Sequence, residues 1–267
     1  MLPIEEKYED LLATLLGYGS ALVAFSGGVD STLLLHAAHE ALGDKAVAAT
    51  LGSCFFPESE LNEARAFCEN EGIEHIVVAK DVLADERIAS NPEDRCYLCK
   101  RLMFGDLMDL AAQRGLAVVV EGSNVDDAGD YRPGARALSE LGAKSPLAEA
   151  GLTKLEIREL ARQKGLAAWD KPSLACLASR IPHGEAITAE KLARIDRAER
   201  LLRDAGFDQV RVRVHGDVAR IEVMPSEVNM MIGLRQTGMV EALHNLGFPY
   251  VTLDLDGYRT GSLNPRR

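Results

Sequence analysis

The feature that most constrains the fold is the hexapeptide Ser-Gly-Gly-Val-Asp-Ser at residues 26–31. It follows an uncharged apolar run at residues 21–25 and precedes a second apolar segment at residues 32–38. This order predicts a strand, an anion-binding loop and a helix. Glycines let the backbone approach a ligand, and the first N–H groups of a helix lack intrahelical partners and attract an anion. The sequence therefore predicts a phosphate site at this loop.

The side chains of the loop add chemistry of their own. Ser26 and Ser31 carry hydroxyl donors for a phosphate, whereas an ionised Asp30 has no donor, so we expect Asp30 to hold Mg²⁺ or to orient the loop. The loop is not a Walker A motif, because no Gly-Lys-Ser/Thr follows at the required spacing, and it is not a Gly-x-Gly-x-x-Gly motif.

Apolar strands alternate with helical patterns through the first two thirds of the chain. We predict the strands Leu22–Phe25, Ala46–Thr50, His75–Val78 and Ala117–Val120, and the helices Ile4–Leu16, Glu58–Glu71 and Leu155–Lys164. Fully apolar strands are typical of a parallel sheet covered on both faces, which predicts an α/β fold with a doubly wound sheet. Ligands of such sheets bind at the carboxyl ends of the strands, where Gly122 and Ser123 also fall.

The pattern changes near residue 185. We predict a helix at Thr188–Ala205, a hairpin of strands Val210–Val214 and Ala219–Val223, a helix around residues 226–246 and a last strand at Tyr250–Leu255. Strands joined by a short turn are antiparallel. We therefore predict a first domain at residues 1–184, which carries the cysteines, and a smaller C-terminal α+β domain at residues 185–267. Arg211 and Arg213 share one face of their strand, which favours either a solvated face or a phosphate site.

The five cysteines predict reduced thiols rather than a disulfide framework, because their number is odd and two of them form a Cys-x-x-Cys pair. Cys96 and Cys99 of this pair are spaced to share a metal ion or a cluster, with half of a structural zinc site as the alternative. Cys176 lies near Lys171, Ser179 and Arg180 in sequence, and its basic surroundings favour a reactive thiol and the binding of a carboxylate or phosphate. The alternative for Cys176 is a buried inert thiol.

Charge limits the classes of partner. The net charge of −11 argues against a general affinity for nucleic acid, which requires a basic surface. Residues 11–29 carry no charge, but they contain glycines and run into the loop, so a helix and a buried strand account for them better than a membrane span. The first ten residues are acidic rather than basic, so we expect no signal peptide and a cytoplasmic protein.

The loop resembles the pyrophosphate loop (PP-loop) of the ATP pyrophosphatase superfamily, whose members split ATP between the α and β phosphates. Seven segments between residues 24 and 223 carry a second resemblance: A-F-S-G-G-V-D-S, N-P-E-D-R-C-Y-L-C-K, E-G-S-N-V-D-D, G-D-Y-R-P-G, K-S-P-L, K-P-S-L-A-C-L-A-S-R-I-P-H-G and Q-V-R-V-R-V-H-G-D-V-A-R-I-E-V. Through these segments most of the chain resembles the LarE family of ATP-dependent sulfur transferases, which act in nickel-pincer cofactor synthesis.

The resemblance implies an enzyme that uses ATP and Mg²⁺ to adenylate the carboxylates of pyridinium-3,5-biscarboxylic acid mononucleotide and converts them to thiocarboxylates. We assign ATP to the loop and nearby strand ends: Ala24, Phe25, Ser26, Gly27, Gly28, Asp30, Ser31, Thr50 and Gly122. We assign the substrate and its phosphate to Lys100, Ser179, Arg180, Arg211 and Arg213. Asp30 is assigned to Mg²⁺, and Glu199 and Glu222 to a further divalent metal. A homo-oligomer is also implied.

Members of the family differ in their source of sulfur. Some use a single cysteine, at the position of Cys176, as a sacrificial donor, and others bind a [4Fe-4S] cluster through three cysteines. Because this chain has Cys96, Cys99 and Cys176, we favour the cluster, which three thiolates would leave with one iron free to hold a sulfide. Two further hypotheses are a tRNA-thiolating enzyme with the same loop and a non-catalytic nucleotide sensor with a structural metal.

Overall fold

The computed structural model describes residues 3–129, 133–172 and 175–259, which form two compact units. The first unit consists of Met1–Val82 and Asp94–Ser173, and the second of Leu83–Glu93 and Leu174–Arg267. The predicted motif G-D-Y-R-P-G lies partly outside the described residues, as do Ser173 and Leu174 of the segment around Cys176. None of the helices in these three ranges combines the length and apolar character needed to cross a membrane.

The first unit is built on a four-stranded parallel sheet. Its strands are β1 (Ala21–Ala24), β2 (Ala46–Gly52), β3 (His75–Ala79) and β4 (Val118–Val120). Its helices are α1 (Ile4–Tyr18), α2 (Val29–Leu42), α3 (Glu58–Glu71), α5 (Arg95–Arg114), α6 (Pro133–Leu141), α7 (Pro146–Glu149) and α8 (Lys154–Gln163), and α4 (Glu86–Ala89) belongs to the second unit. The spatial order of the strands is β3-β2-β1-β4. The predicted strands and their parallel arrangement are confirmed.

The sheet is covered on both faces, as its apolar strands predict. Val23 of β1 points into a core that α1, α2 and α8 complete, and Leu22 points into the opposite core, which α5 and α6 complete. Both side chains are fully buried. Successive side chains of a strand point to opposite faces, so a run without polar residues needs helices on both sides. The fold of this unit is therefore doubly wound α/β.

The order of the strands places a topological switch point between β1 and β4. The chain leaves β1 through α2 toward β2 on one side, whereas β4 pairs with β1 on the other side. Connections that diverge in this way leave a crevice at the carboxyl ends of the two strands. The hexapeptide at residues 26–31 follows β1, and the segment Glu121–Asn124 follows β4, so both lie at this crevice.

The second unit contains a three-stranded sheet and short helices. Its strands are β5 (Arg211–His215), β6 (Val218–Glu222) and β7 (Tyr250–Leu253), and its remaining helices are α9 (Ala189–Asp204), α10 (Val228–Gly233) and α11 (Met239–Asn245). The antiparallel hairpin of β5 and β6 is confirmed, and β7 adds to β6 in parallel. The small α+β module that the sequence predicts is thus present.

Two features of the helices differ from the sequence-based expectation. The single helix predicted around residues 226–246 is broken into α10 and α11, because Gly238 takes a left-handed conformation with φ of 82°. The stretch that contains and follows the Cys-x-x-Cys pair, for which no helix is predicted, forms the 20-residue helix α5. Gly115 ends α5 in the left-handed conformation that helix ends favour.

Candidate active site

The loop at residues 26–31 closes on itself through its two serines. The N–H group of Ser26 donates to Ser31 Oγ at 3.2 Å, and Ser31 Oγ donates to the carbonyl of Gly28 at 3.0 Å. The two hydroxyl oxygens lie 3.0 Å apart. Gly27 has φ of 72°, which only glycine adopts without strain, and Gly28 is the N-cap of α2. The loop therefore holds the start of a 14-residue helix, whose first N–H groups attract an anion, at the switch point.

Asp30, in the first turn of α2, contacts the segments that follow β4. Its Oδ1 accepts a hydrogen bond from Asn124 Nδ2 at 3.1 Å, and its Oδ2 pairs with the ammonium group of Lys154, the first residue of α8. The side chain of Asp30 keeps about a fifth of its surface exposed. Its carboxylate is thus oriented by two partners and still accessible, which suits a ligand of Mg²⁺.

The segment after β4 packs directly on the loop. A Cβ atom added to Gly122 would lie 3.1 Å from the backbone nitrogen of Ser31 and 3.3 Å from Cβ of Asp30, so only glycine fits without a shift. The buried carboxylate of Glu121 fixes the turn: it accepts hydrogen bonds from the N–H and hydroxyl groups of Ser123 and from the hydroxyl of Ser145. Gly122, predicted near the nucleotide, therefore borders the loop.

Thr50, near the carboxyl end of β2, is joined to the start of the loop by a hydrogen bond. Its hydroxyl donates to the carbonyl of Phe25 at 2.8 Å, so it accepts from Nε2 of His75, which lies 2.8 Å away. Burial, followed by the charge of Arg65, lowers the pKa of His75. Phe25 itself is buried and contacts the tilted ring of Phe67, with ring centroids 5.5 Å apart. This chain of contacts fixes the peptide that enters the loop.

A second lysine, Lys171, borders the loop. Its ammonium donates to the carbonyl of Gly27 at 3.3 Å and to the carboxylates of Glu60 and Glu63 at 2.7 and 2.6 Å. Burial alone would lower the pKa of Lys171, but the two glutamates outweigh it and raise the pKa. This lysine ties α3 to the loop. The sequence indicates Lys171 only as a basic neighbour of Cys176.

The Cys-x-x-Cys pair lies in the first two turns of α5. Cys96, Cys99 and Lys100 occupy positions i, i+3 and i+4, which share one face of a helix. Cys96 is exposed and Cys99 is half-buried, with its Sγ 3.2 Å from Sδ of Met103. The ammonium of Lys100 lies 4.7 Å from the ring centre of Phe104. The face thus presents two thiols and one cation, a donor set that fits two of the ligands of an iron–sulfur cluster.

Cys176 belongs to the second unit, where Arg180 holds its backbone. Nη1 of Arg180 donates to the carbonyls of Ala175 at 2.6 Å and Cys176 at 3.1 Å, and to Oγ of Ser179 at 3.0 Å. The other two nitrogens of Arg180 form a two-point ion pair with Glu199, at 2.8 and 2.9 Å. The structure therefore brings together Cys176, Ser179, Arg180 and Glu199. Their roles in binding substrate or metal stay predictions.

Arg211 and Arg213 are both buried, so the alternative of a solvated sheet face is wrong. Arg213 pairs with Glu222 at 2.9 Å and donates to the carbonyl of Ser179 at 2.9 Å. Burial, followed by the charge of Arg180, lowers the pKa of Arg211 to about 10. Three buried arginines and two buried glutamates thus lie beside the turn of Cys176, and this excess of arginine favours an anion there. The assignment of Glu222 to a metal stays a prediction, since Arg213 holds its carboxylate here.

Metal ligands are not clustered in the part of the chain that the structure describes: no group of three or more His, Cys, Asp and Glu side chains is arranged to hold a metal ion. This finding is compatible with Mg²⁺ at Asp30, because Mg²⁺ in nucleotide sites is bound by one or two carboxylates, waters and the phosphates of the substrate.

Two loop partners, Asn124 and Lys154, are not predicted from the sequence. Only the position of Asn124 just after a strand signals its role.

Comparisons with known proteins give near full-length matches. The chain is 45% identical over 262 residues to an uncharacterised protein of Synechocystis, covering 98% of both chains. It is 38% identical over 265 residues to the pyridinium-3,5-bisthiocarboxylic acid mononucleotide synthase of Lactiplantibacillus plantarum, covering 99% of this chain and 96% of that one. A shorter match, 25% identical over 158 residues, covers 55% of this chain and 52% of a glutamine-hydrolysing GMP synthase component of Archaeoglobus fulgidus. No protein-family model matches.

Proposed function

Because the chain belongs to the LarE family of pyridinium-3,5-bisthiocarboxylic acid mononucleotide synthases, within the PP-loop superfamily, we propose that it is an ATP-dependent sulfur transferase of nickel-pincer cofactor synthesis. Its substrate in this proposal is pyridinium-3,5-biscarboxylic acid mononucleotide, whose carboxylates it converts to thiocarboxylates. The observation that carries the proposal is the 38% identity over nearly the whole of both chains. The loop at the switch point supports the proposal, since its N–H and hydroxyl groups supply the binding of pyrophosphate that the activation of a carboxylate by ATP requires.

In the proposed first step, a substrate carboxylate oxygen attacks the α-phosphorus of ATP and the bond between that phosphorus and the bridging oxygen to the β-phosphate breaks. Pyrophosphate leaves into the loop, where the N–H groups at the start of α2 and the hydroxyls of Ser26 and Ser31 stabilise its charge. Mg²⁺, when bound at Asp30, supplies further neutralisation of that charge. The product is an acyl-adenylate, whose AMP is a good leaving group.

In the proposed second step, a sulfur nucleophile attacks the acyl carbon and AMP leaves. The buried arginines Arg211 and Arg213 are proposed to hold the substrate phosphate. The sequence leaves two candidate sources of the sulfur. In the favoured one, Cys96, Cys99 and Cys176 would hold a [4Fe-4S] cluster, and the chemistry that the cluster would supply is the delivery of sulfide. In the second, Cys176 forms the new carbon–sulfur bond itself, and loss of its Cα proton and of its Cβ–S bond leaves dehydroalanine.

Anaerobic purification with iron and sulfide analysis separates the two sources. For the cluster we expect about four irons per chain, lost in Cys176→Ala and retained in Cys68→Ala. Cys68 is the matched control, because it is fully buried and burial raises the pKa of its thiol to about 12. An iron-free protein that loses the mass of H₂S from Cys176 after turnover would identify the sacrificial donor. Failure of the substrate to stimulate AMP and pyrophosphate formation would contradict the proposed function itself.

A further inference from the structure

Two lysines border the phosphate loop, and they differ in how firmly they are held. Lys171 has two carboxylate partners and the carbonyl of Gly27, and its side chain is only 17% exposed. Lys154 pairs with Asp30, and its side chain is 36% exposed. Moving Lys171 would break two ion pairs and its hydrogen bond to the loop. Moving Lys154 would release Asp30, the carboxylate that suits Mg²⁺.

The backbone of Lys154 is held by contacts that do not involve its ammonium group. Its N–H group donates to Oδ2 of Asp126 at 2.8 Å. The preceding Thr153 forms a capping box with Glu156, whose carboxylate also pairs with Lys7 at 2.7 Å. Lys154 therefore projects a flexible four-carbon stem from a rigid helix start, and its ammonium can change partners without a change of the backbone.

We propose that Lys154 is an exchangeable counter-ion of the phosphate loop, which neutralises Asp30 while the loop is empty and binds the phosphates of ATP when Mg²⁺ takes its place at Asp30. The inference rests on the proposed use of ATP, and it adds a phosphate-binding residue to that site. Asn124 stays on Oδ1 of Asp30 throughout, so the carboxylate keeps its orientation while its Oδ2 changes partner.

Charge supports the exchange. An ammonium and a divalent cation cannot both lie against Oδ2 of Asp30 without repelling each other, so Mg²⁺ and Lys154 compete for this oxygen. ATP brings several negative charges to the start of α2, close to the residue that Lys154 contacts. The displaced ammonium thus finds a stronger anion within reach of its stem, and no charge is left uncompensated. Lys154 then assists Mg²⁺ in neutralising the pyrophosphate that leaves.

The proposal predicts effects of opposite sign on two ligands. In Lys154→Met, which keeps the stem and removes the charge, Mn²⁺ alone should bind about tenfold more tightly, because its competitor at Asp30 is gone. In the same variant, α,β-methylene-ATP with saturating Mg²⁺ should bind about tenfold more weakly, because one charge-assisted hydrogen bond to phosphate is lost. Electron paramagnetic resonance of Mn²⁺ and calorimetry of the analogue measure the two affinities.

Lys164→Met is the matched control. Lys164 is 32% exposed and pairs with Glu40 at 3.1 Å, a surface contact outside the loop, so both affinities should stay at the wild-type values. If both affinities fall in Lys154→Met, or if neither changes, the exchange is wrong. If the wild-type protein itself does not bind the analogue, the proposed function fails, whereas the Mn²⁺ titration still tests whether Lys154 competes for Asp30.

Discussion

At the scale of single residues, a buried ion pair with Glu199 holds Arg180, which in turn donates to the carbonyl of Cys176. Both side chains are only 1% exposed, and Glu199 also accepts the N–H group of Val212 on β5. Glu199→Gln keeps the shape of the side chain but leaves the charge of Arg180 uncompensated in the interior. We expect the variant to lose about 3–5 kcal/mol of unfolding free energy at pH 7, measured by urea unfolding. Glu190→Gln, at an exposed position of the same helix, should change it by less than about 0.5 kcal/mol.

The same pair gives a pH dependence with a defined sign. Burial alone would raise the pKa of Glu199, but the charge of Arg180 and its hydrogen bonds outweigh burial and lower the pKa. A carboxyl group with a lowered folded-state pKa stabilises fully above its unfolded value, about 4.3, and this contribution is lost as pH falls through the folded-state pKa. Wild-type stability should therefore decrease in that acidic range, and this part of the decrease should be absent from Glu199→Gln. If the stability of Glu199→Gln depended on pH in the same way as that of the wild type, Glu199 would not be ionised in the folded protein.

The residues of the site were predictable to different degrees. Ser26, Asp30 and Ser31 belong to one hexapeptide, so local pattern alone places them at a strand end. The two partners of Asp30 are 94 and 124 residues away in sequence, and apart from the strand end before Asn124 nothing local marks Asn124 or Lys154 as its neighbours. Contacts of this kind are set by the packing of helices around the sheet rather than by any nearby pattern.

At the scale of elements, the close packing of the segment after β4 on the start of α2 gives a steric prediction. In Gly122→Ala, the new Cβ would meet backbone and Cβ atoms of the loop at 3.1 and 3.3 Å, and no rotamer change can relieve these contacts. We expect the loop to shift and the affinity for α,β-methylene-ATP, measured by calorimetry, to fall at least about tenfold. Gly105→Ala is the control, because an added Cβ there meets no atom within 4 Å. It should leave the affinity unchanged and stabilise α5 by about 0.5–1 kcal/mol. Equal affinities in both variants would contradict the packing argument.

Elements with one clear period were predicted well, and elements with mixed signals were not. The strands of the parallel sheet are short apolar runs between turn residues, and all four were found. The predicted helix at residues 226–246 contains Gly233 and Gly238, and the second of these breaks it. In α5, the Cys-x-x-Cys pair and its basic neighbours indicate a ligand site, and this signal left the helix that carries the pair unpredicted.

At the scale of the whole molecule, the chain passes between the two units more than once. Residues 83–93 lie in the second unit, between two stretches of the first. The predicted boundary at residue 184 assigns residues 83–93 and 174–184 to the first domain instead. Asn91 links residues 83–93 to residues 174–184: its side-chain amide donates to the carbonyls of Ile181 and Pro182 at 3.2 and 2.7 Å. A contact over about 90 residues leaves no local mark in the sequence.

Asn91 therefore allows a test of which unit residues 83–93 stabilise. Asn91 is fully buried and has φ of 58°, and its own carbonyl accepts the N–H group of Gly184 at 2.9 Å. Asn91→Ala removes the side-chain hydrogen bonds to Ile181 and Pro182, and alanine tolerates the left-handed conformation less well than asparagine. Together these two effects should lower the free energy of unfolding by about 2–4 kcal/mol. Asn91→Gly should lose the same hydrogen bonds without the torsional cost, so its loss should be about 1 kcal/mol smaller.

The single tryptophan, Trp169, lies in the first unit and so reports on that unit alone, whereas far-ultraviolet circular dichroism reports on both. In urea, we expect Asn91→Ala to lower the midpoint of part of the circular dichroism change and to leave the Trp169 fluorescence transition near its wild-type midpoint. A matching shift of both transitions would mean that residues 83–93 stabilise the first unit or that the chain unfolds as one body. Either result would contradict independent unfolding of the two units in urea, which the expected outcome requires.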